Sequence, residues 1–207
     1  MNPNQRLSYQ THEENIFDIS SLREFSSNKL IGNFTIRYVA EGVERYQVNN
    51  AKYNIKAEEY IITNKFSEGS ILIDSKEPVI GICIDISNNL LTEVISGLFT
   101  HGGTELNPEF ADYFKDSQFF ENKYHFGQSR AGAILKHIET KARQNNWRVF
   151  LEDKSIYYQL AEALIHDNRF IFNQLQKLNT AKQTTKKDLL SLLILLIQTH
   201  YFCMNQR

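Results

Sequence analysis

The hydrophobic pattern changes its period near the middle of the chain. Up to about residue 86, apolar and β-branched residues come in short runs divided by turn signals. Leu30–Val39 is rich in such residues; Glu44–Val48 and Lys52–Ile55 flank Asn49-Asn50-Ala51. Tyr60–Asn64, Ser70–Asp74 and Val79–Ile86 follow at short intervals. Adjacent asparagines tolerate positive φ, so a tight hairpin is predicted there. Short strands so spaced predict an antiparallel sandwich or barrel. Ile80–Ile86 is almost continuously apolar, like a central strand covered on both faces.

The later pattern is helical. Ser87 is a candidate N-cap for a short helix over 88–96, with Gly97 as its stop. Residues 99–117 contain Gly102-Gly103 and Pro108 and read as loop; 118–126 reads as a last strand and 129–145 as a short polar helix. Ile156, Leu160, Leu164, Ile171, Leu175 and Leu178 lie on one face of a helix over about 151–178. After a polar turn, Thr185-Lys-Lys-Asp188 has the form of a capping box before a last helix, about 186–203. That helix is apolar all round and needs a partner. The two helices form a hairpin whose stripe suits either dimerisation through Ile156, Leu160, Leu164, Ile171 and Leu175 or packing against the β-domain.

The 207 residues suffice for one sizeable domain with a helical extension. The net charge of −1 hides a split: residues 1–128 carry 11 Lys+Arg against 18 Asp+Glu, and residues 129–207 carry 12 against 6. Two cysteines without a pattern fit a reducing cytosol. The polar N-terminus shows no signal peptide, and the longest apolar run, Leu189–Ile197, falls short of the ~20 residues that span a bilayer. A cytoplasmic protein with no membrane partner is expected.

Motifs for catalysis are sparse. The histidines at 12, 101, 125, 137, 166 and 200 show no metal-ligand spacing. No nucleophile elbow, P-loop or Gly-x-Gly-x-x-Gly occurs. Cys83 lies mid-strand, where a small buried hydrophobe is expected rather than a thiolate. Lys177, Lys182, Lys186 and Lys187 form the one compact basic group, read as a solvated turn or a phosphate contact. No metal, cofactor or catalytic residue is predicted.

The order of pieces carries a resemblance. Thr35-Ile-Arg-Tyr-Val-Ala-Glu-Gly42 leads into Glu44-Arg-Tyr-Gln-Val48, the Asn49-Asn50 turn, and Tyr53-Asn-Ile-Lys-Ala-Glu-Glu-Tyr-Ile-Ile-Thr-Asn64. With Gly81-Ile-Cys-Ile-Asp-Ile-Ser87 and Leu178-Asn-Thr-Ala-Lys182, this resembles the cupin-like sensor domain of AraC-family transcription regulators. The family's Pro-Gly-Asp turn is here Lys56-Ala57-Glu58-Glu59. The resemblance implies an α+β fold: a cupin-like antiparallel β-barrel (double-stranded β-helix) over 15–126, preceded by a flexible arm over 1–14. A helical dimerisation region over 127–207 follows. It also implies a small-molecule effector, a homodimer, and DNA binding only through a helix-turn-helix domain absent from this chain, which the family places next. The alternative is a stand-alone cupin-type binding protein or enzyme. The positions of the enzymatic cupins' metal ligands, near Lys29–Ile31, at Thr35 and near Ser67-Glu68, hold no histidine.

The barrel mouth is the expected pocket. If Thr35 points inward, as the cupin register implies, Arg37, Val39 and Glu41 follow, and Phe34, Ile36 and Tyr38 face the other layer. Arg37 suits a carboxylate and Glu41 hydroxyls, unless the two pair with each other. Tyr46 and Tyr53 offer flat faces with polar tips for a sugar or aromatic ligand, or serve as core. Asn64 and Glu68 are placed to close the mouth.

Overall fold

In this computed structural model the described residues are 4–11, 14–30, 32–100, 123–143 and 154–167. The chain forms two compact units, residues 1–167 and 168–207, and every described residue lies in the first. The expected helices beyond 167, with Ile171, Leu175 and the lysines of the turn, lie outside the described residues, as does the expected loop over 99–117 from residue 101 on; residues 99 and 100 are helical.

The fold is α+β, an antiparallel sheet followed by helices. The strands are β1 (Gln5–Gln10), β2 (Ile16–Ser27), β3 (Phe34–Glu41), β4 (Val43–Val48), β5 (Ala51–Lys56), β6 (Glu59–Asn64), β7 (Gly69–Ile86) and β8 (Lys123–His125). Their order is β1-β2-β7-β3-β6-β8, with β4 pairing β5 and β7.

β7 organises the sheet. Its later half, Ile80–Ile86, pairs β3, and its first half, Gly69–Leu72, pairs β4. β2 runs along its other edge, with Ser75–Pro78 bulging opposite Arg23. The two strands predicted over 70–74 and 79–86 are therefore one bent strand. Pro78 lacks an N–H, and a bulge is where a strand tolerates that.

The step from β3 to β4 passes through Gly42 at φ 87°, where a Cβ would lie 2.8 Å from Val79 Cγ2. Only glycine suits both the left-handed backbone and the close approach. The predicted hairpin is present: Val48 pairs Ala51 across Asn49-Asn50, with Asn49 at φ 50°. Asn49 Oδ1 also accepts from the Glu68 amide at 3.0 Å.

One expectation for the N-terminal half is corrected. Residues expected as a flexible arm include β1, which pairs β2 from Gln5 to Gln10. β2 itself was not foreseen; it buries Phe17, Ile19 and Ser21 on one face.

Helices follow the sheet. α1 (Asn88–Thr100) is capped by Ser87, whose Oγ accepts from the Leu90 amide at 3.3 Å. It continues past Gly97, the expected stop. Glycine costs only about 1 kcal/mol inside a helix, too little to end one by itself.

α2 (Arg130–Arg143) lies within the predicted 129–145 and buries Ala131, Leu135 and Ile138. A third helix, α3, covers 155–167. Its Ile156, Leu160 and Leu164, expected on a dimer face, are buried in the single chain.

Asp167 joins α3 to α2. Its carboxylate accepts from the Arg130 and Ala131 amides at 3.1 and 3.0 Å, beside the Ser129 cap. Tyr60 of β6 meets Ser129 Oγ at 2.5 Å, so this cap is tied to the sheet. Asp167→Ala leaves two amides at the positive end of the helix without these partners. A loss of about 1–2 kcal/mol in urea unfolding is expected; an unchanged midpoint would show that water replaces the carboxylate.

Candidate functional site

Registry sorts the side chains of the central strands onto two faces. Ile36 pairs Ile84 and Ile62, and Tyr38 pairs Ile82 and Tyr60. With Phe17 and Ile19 these form the apolar face, which is fully buried; Ile36 and Tyr38 thus face the layer opposite Arg37, as expected. Phe126 packs on it, its ring 5.5 Å from Tyr38 in an edge contact.

The opposite face is polar. Arg37 lies beside Cys83, and Cys83 beside Asp18; Val39 lies beside Gly81, and Gly81 beside Ser20. This face borders a cavity of about 380 Å³, within the ~300–1,000 Å³ usual for small-molecule sites. Glu44 and Tyr46 of β4 line it, as do Leu22, Phe25, Ile71 and Ile73. The exposed Phe25 and Lys29 also border it, so this side opens to solvent.

The buried centre of the cavity is a charged cluster. The Tyr46 hydroxyl donates to the Glu44 carboxylate. Glu44 lies directly over Gly81, where a Cβ would come within 2.1 Å of its Oε1. The missing side chain at 81 is what makes room for a carboxylate there.

Burial pushes the Glu44 carboxyl above its ordinary range, while Tyr46 and the positive charge of Arg37 hold it down. Burial alone would lower Arg37, but its neighbours, among them the carboxylates of Glu44 and Asp85, raise it, so the guanidinium stays charged. The Cys83 thiol is pushed up to about 11 by burial, which leaves it protonated and poorly nucleophilic at neutral pH.

The surrounding charges have their own partners. Asp85 accepts from the Asn33 and Phe34 amides and from Thr35 Oγ1, at 2.7, 3.1 and 2.7 Å. Asp18 pairs with Arg6 at 2.6 Å. The charged lining comprises Arg6, Lys29 and Arg37 against Asp18 and Glu44.

The residues expected at the pocket separate into two groups. Arg37 and Tyr46 line the cavity together. Thr35 is buried on the same face of β3, but its hydroxyl is engaged by Asp85.

Glu41 is exposed, because the registry between β3 and β7 shifts between Val39 and Glu41 and breaks the alternation. Tyr53 packs against the apolar cluster of Val48, Ile55 and Ile73. Asn64 is buried at the end of β6, its Oδ1 accepting from the Phe66 amide of the following turn at 3.0 Å. Glu68 is exposed and does not border the cavity.

Glu44 was not among the expected site residues, nor were Asp18, Ser20, Leu22 and Phe25 of β2. Among the described residues no three of His, Cys, Asp and Glu gather as a metal-ligand set. No described helix is long and apolar enough to cross a membrane.

No family model and no curated protein matches the sequence. Solved structures similar to the chain include ToxT of Vibrio cholerae and KdgF of a Halomonas species. Apo ToxT is 13% identical over 82% of this chain and 58% of its own, with a TM-score of 0.46. ToxT bound to an unsaturated fatty acid is 20% identical over 45% of this chain and 34% of its own, with a TM-score of 0.33. KdgF is 9% identical over 42% of this chain and 82% of its own, with a TM-score of 0.34. The chain thus spans about a third of the fatty-acid-bound ToxT chain.

Proposed function

We propose that the cavity senses a small carboxylic acid and that the chain is the effector-binding part of an AraC-type transcription regulator, without turnover of its ligand. The observation that carries the acid-binding reading is the buried guanidinium of Arg37 on the wall of a cavity that also has apolar sides. A carboxylate can accept from the guanidinium while its hydrocarbon part lies against Leu22, Phe25, Ile71 and Ile73.

The assignment to a regulator rests on the order of sequence pieces from Thr35 to Ser87. In that role the acid would favour one of two arrangements of the chain and so bias an attached DNA reader, in a homodimer. The alternative is a stand-alone cupin-type binding protein or enzyme.

Native mass spectrometry with a panel of small carboxylates and sugars tests the proposal. A carboxylate adduct that Arg37→Met loses, with the acid recovered unchanged, is expected. Adducts formed by sugars alone would overturn the acid, and conversion of the acid to a product would favour the enzyme.

A further inference from the structure

The cavity that Arg37 lines already contains a carboxyl group, that of Glu44. Glu44 is buried, held by the Tyr46 hydroxyl and seated on Gly81. It and Arg37 stabilise each other electrostatically. A ligand acid that reaches Arg37 therefore brings a second negative charge into a space balanced for one. Two carboxylates sharing a low-dielectric site cannot both stay ionised at ordinary cost; one takes a proton.

The other charged groups do not relieve this. On β4 itself Glu44 meets only Tyr46, whose own ionisation is pushed well up by burial. From β7 it meets Cys83, a protonated thiol, while Asp85 acts on Arg37 and is itself held by the Asn33 and Phe34 amides and Thr35 Oγ1. From β2 and β1 it faces Ser20 and the Asp18–Arg6 pair, which is neutral as a unit. Lys29 also borders the cavity but is exposed to solvent and screened.

We infer that Glu44 is the resident counter-ion of Arg37, and that a bound carboxylate takes over this role while Glu44 takes up one proton from solvent. The inference rests on the acid-binding reading and adds a specificity residue to it. Glu44 sets how strongly the site takes anions, and couples their affinity to pH.

The sign follows from linkage. Below the pH at which free Glu44 ionises, it is already neutral and acid affinity does not change with pH. Above that point each bound acid brings a proton with it, so affinity falls as pH rises. The fall ends where Glu44 ionises even in the complex.

Octanoate is a suitable probe, with octanol as its uncharged counterpart. Calorimetric titration of octanoate in phosphate and in Tris, whose ionisation heats differ, counts the protons taken up. The wild type is expected to take up close to one proton per octanoate at about pH 7, and to bind up to about tenfold more weakly at about pH 8. Octanol should show neither effect. Glu44→Gln keeps the shape and an acceptor for Tyr46 but has no charge to neutralise. It is expected to bind octanoate at least about tenfold more tightly at about pH 7, with no proton uptake and no pH dependence.

Octanoate binding to the wild type without proton uptake, or uptake that persists in Glu44→Gln, would overturn the role of Glu44 while leaving the acid site in place. Failure of octanoate to bind the wild type would overturn the acid-binding reading itself. If Glu44→Gln does not fold, the proton count on the wild type decides alone.

Discussion

Arg37→Met is expected to unfold at a markedly lower urea concentration than the wild type, with a loss of about 3–5 kcal/mol at neutral pH. The substitution nearly keeps the length and apolar stem of the side chain, so packing changes little. What it removes is the cation that balances Glu44 in a buried site. An uncompensated buried carboxylate is costly in a way that the pair is not.

The pH dependence identifies the cause. Glu44 in the folded wild type is already raised above its unfolded value by burial, and without Arg37 it rises further. A group raised on folding contributes stability below its unfolded pKa, and that contribution is lost as pH rises through the folded value. The deficit of Arg37→Met should therefore shrink at about pH 5 and widen at about pH 8. A deficit that is the same at both would assign the loss to packing instead.

Gly81→Val is expected to lose about 2–3 kcal/mol, although valine suits a central strand better than glycine does. The added Cβ would lie 2.1 Å from Glu44 Oε1 and 3.1 Å from its Cδ. Glu44 cannot simply swing away, because Tyr46 holds its other oxygen and the site is buried. The carboxylate must move into the cavity or break its hydrogen bond. Glu44→Ala removes the obstacle, so the double variant should recover much of the loss, a coupling that a double-mutant cycle measures. Simple additivity of the two changes would show that something other than Glu44 opposes a side chain at 81.

How far the sequence showed these arrangements depends on where alternation is interrupted. Along β3, period two correctly sorts Thr35, Arg37 and Val39 from Phe34, Ile36 and Tyr38. It fails at Ala40, where a registry shift follows, so Glu41 turns to solvent. The acidic group beside Arg37 is instead Glu44, after the left-handed turn at Gly42. A signal for it was present: Glu44, Tyr46 and Val48 alternate on one face, and Tyr46 was already recognised.

β2 was harder to read. Its cavity side carries Asp18 and Ser20 between apolar positions, Arg23-Glu24 interrupt its middle and Ser26-Ser27 end it, so Ile16, Phe17, Ile19, Leu22 and Phe25 show no clean alternation. The union of the two halves of β7 was also hidden, because Pro78 and the charged residues before it look like a turn. That bulge depends on β2 lying opposite, a long-range pairing that local sequence does not record.

Where an acid would bind can be observed directly through the Nε–H of Arg37. In ¹⁵N-labelled protein, this resonance is assigned by its loss in Arg37→Met and followed during titration with octanoate. The account predicts a saturable downfield shift of the Arg37 Nε–H that tracks the calorimetric affinity, as expected for a guanidinium donating to a carboxylate. Octanoate binding that leaves this resonance unmoved, with shifts confined to residues outside the cavity, would contradict it.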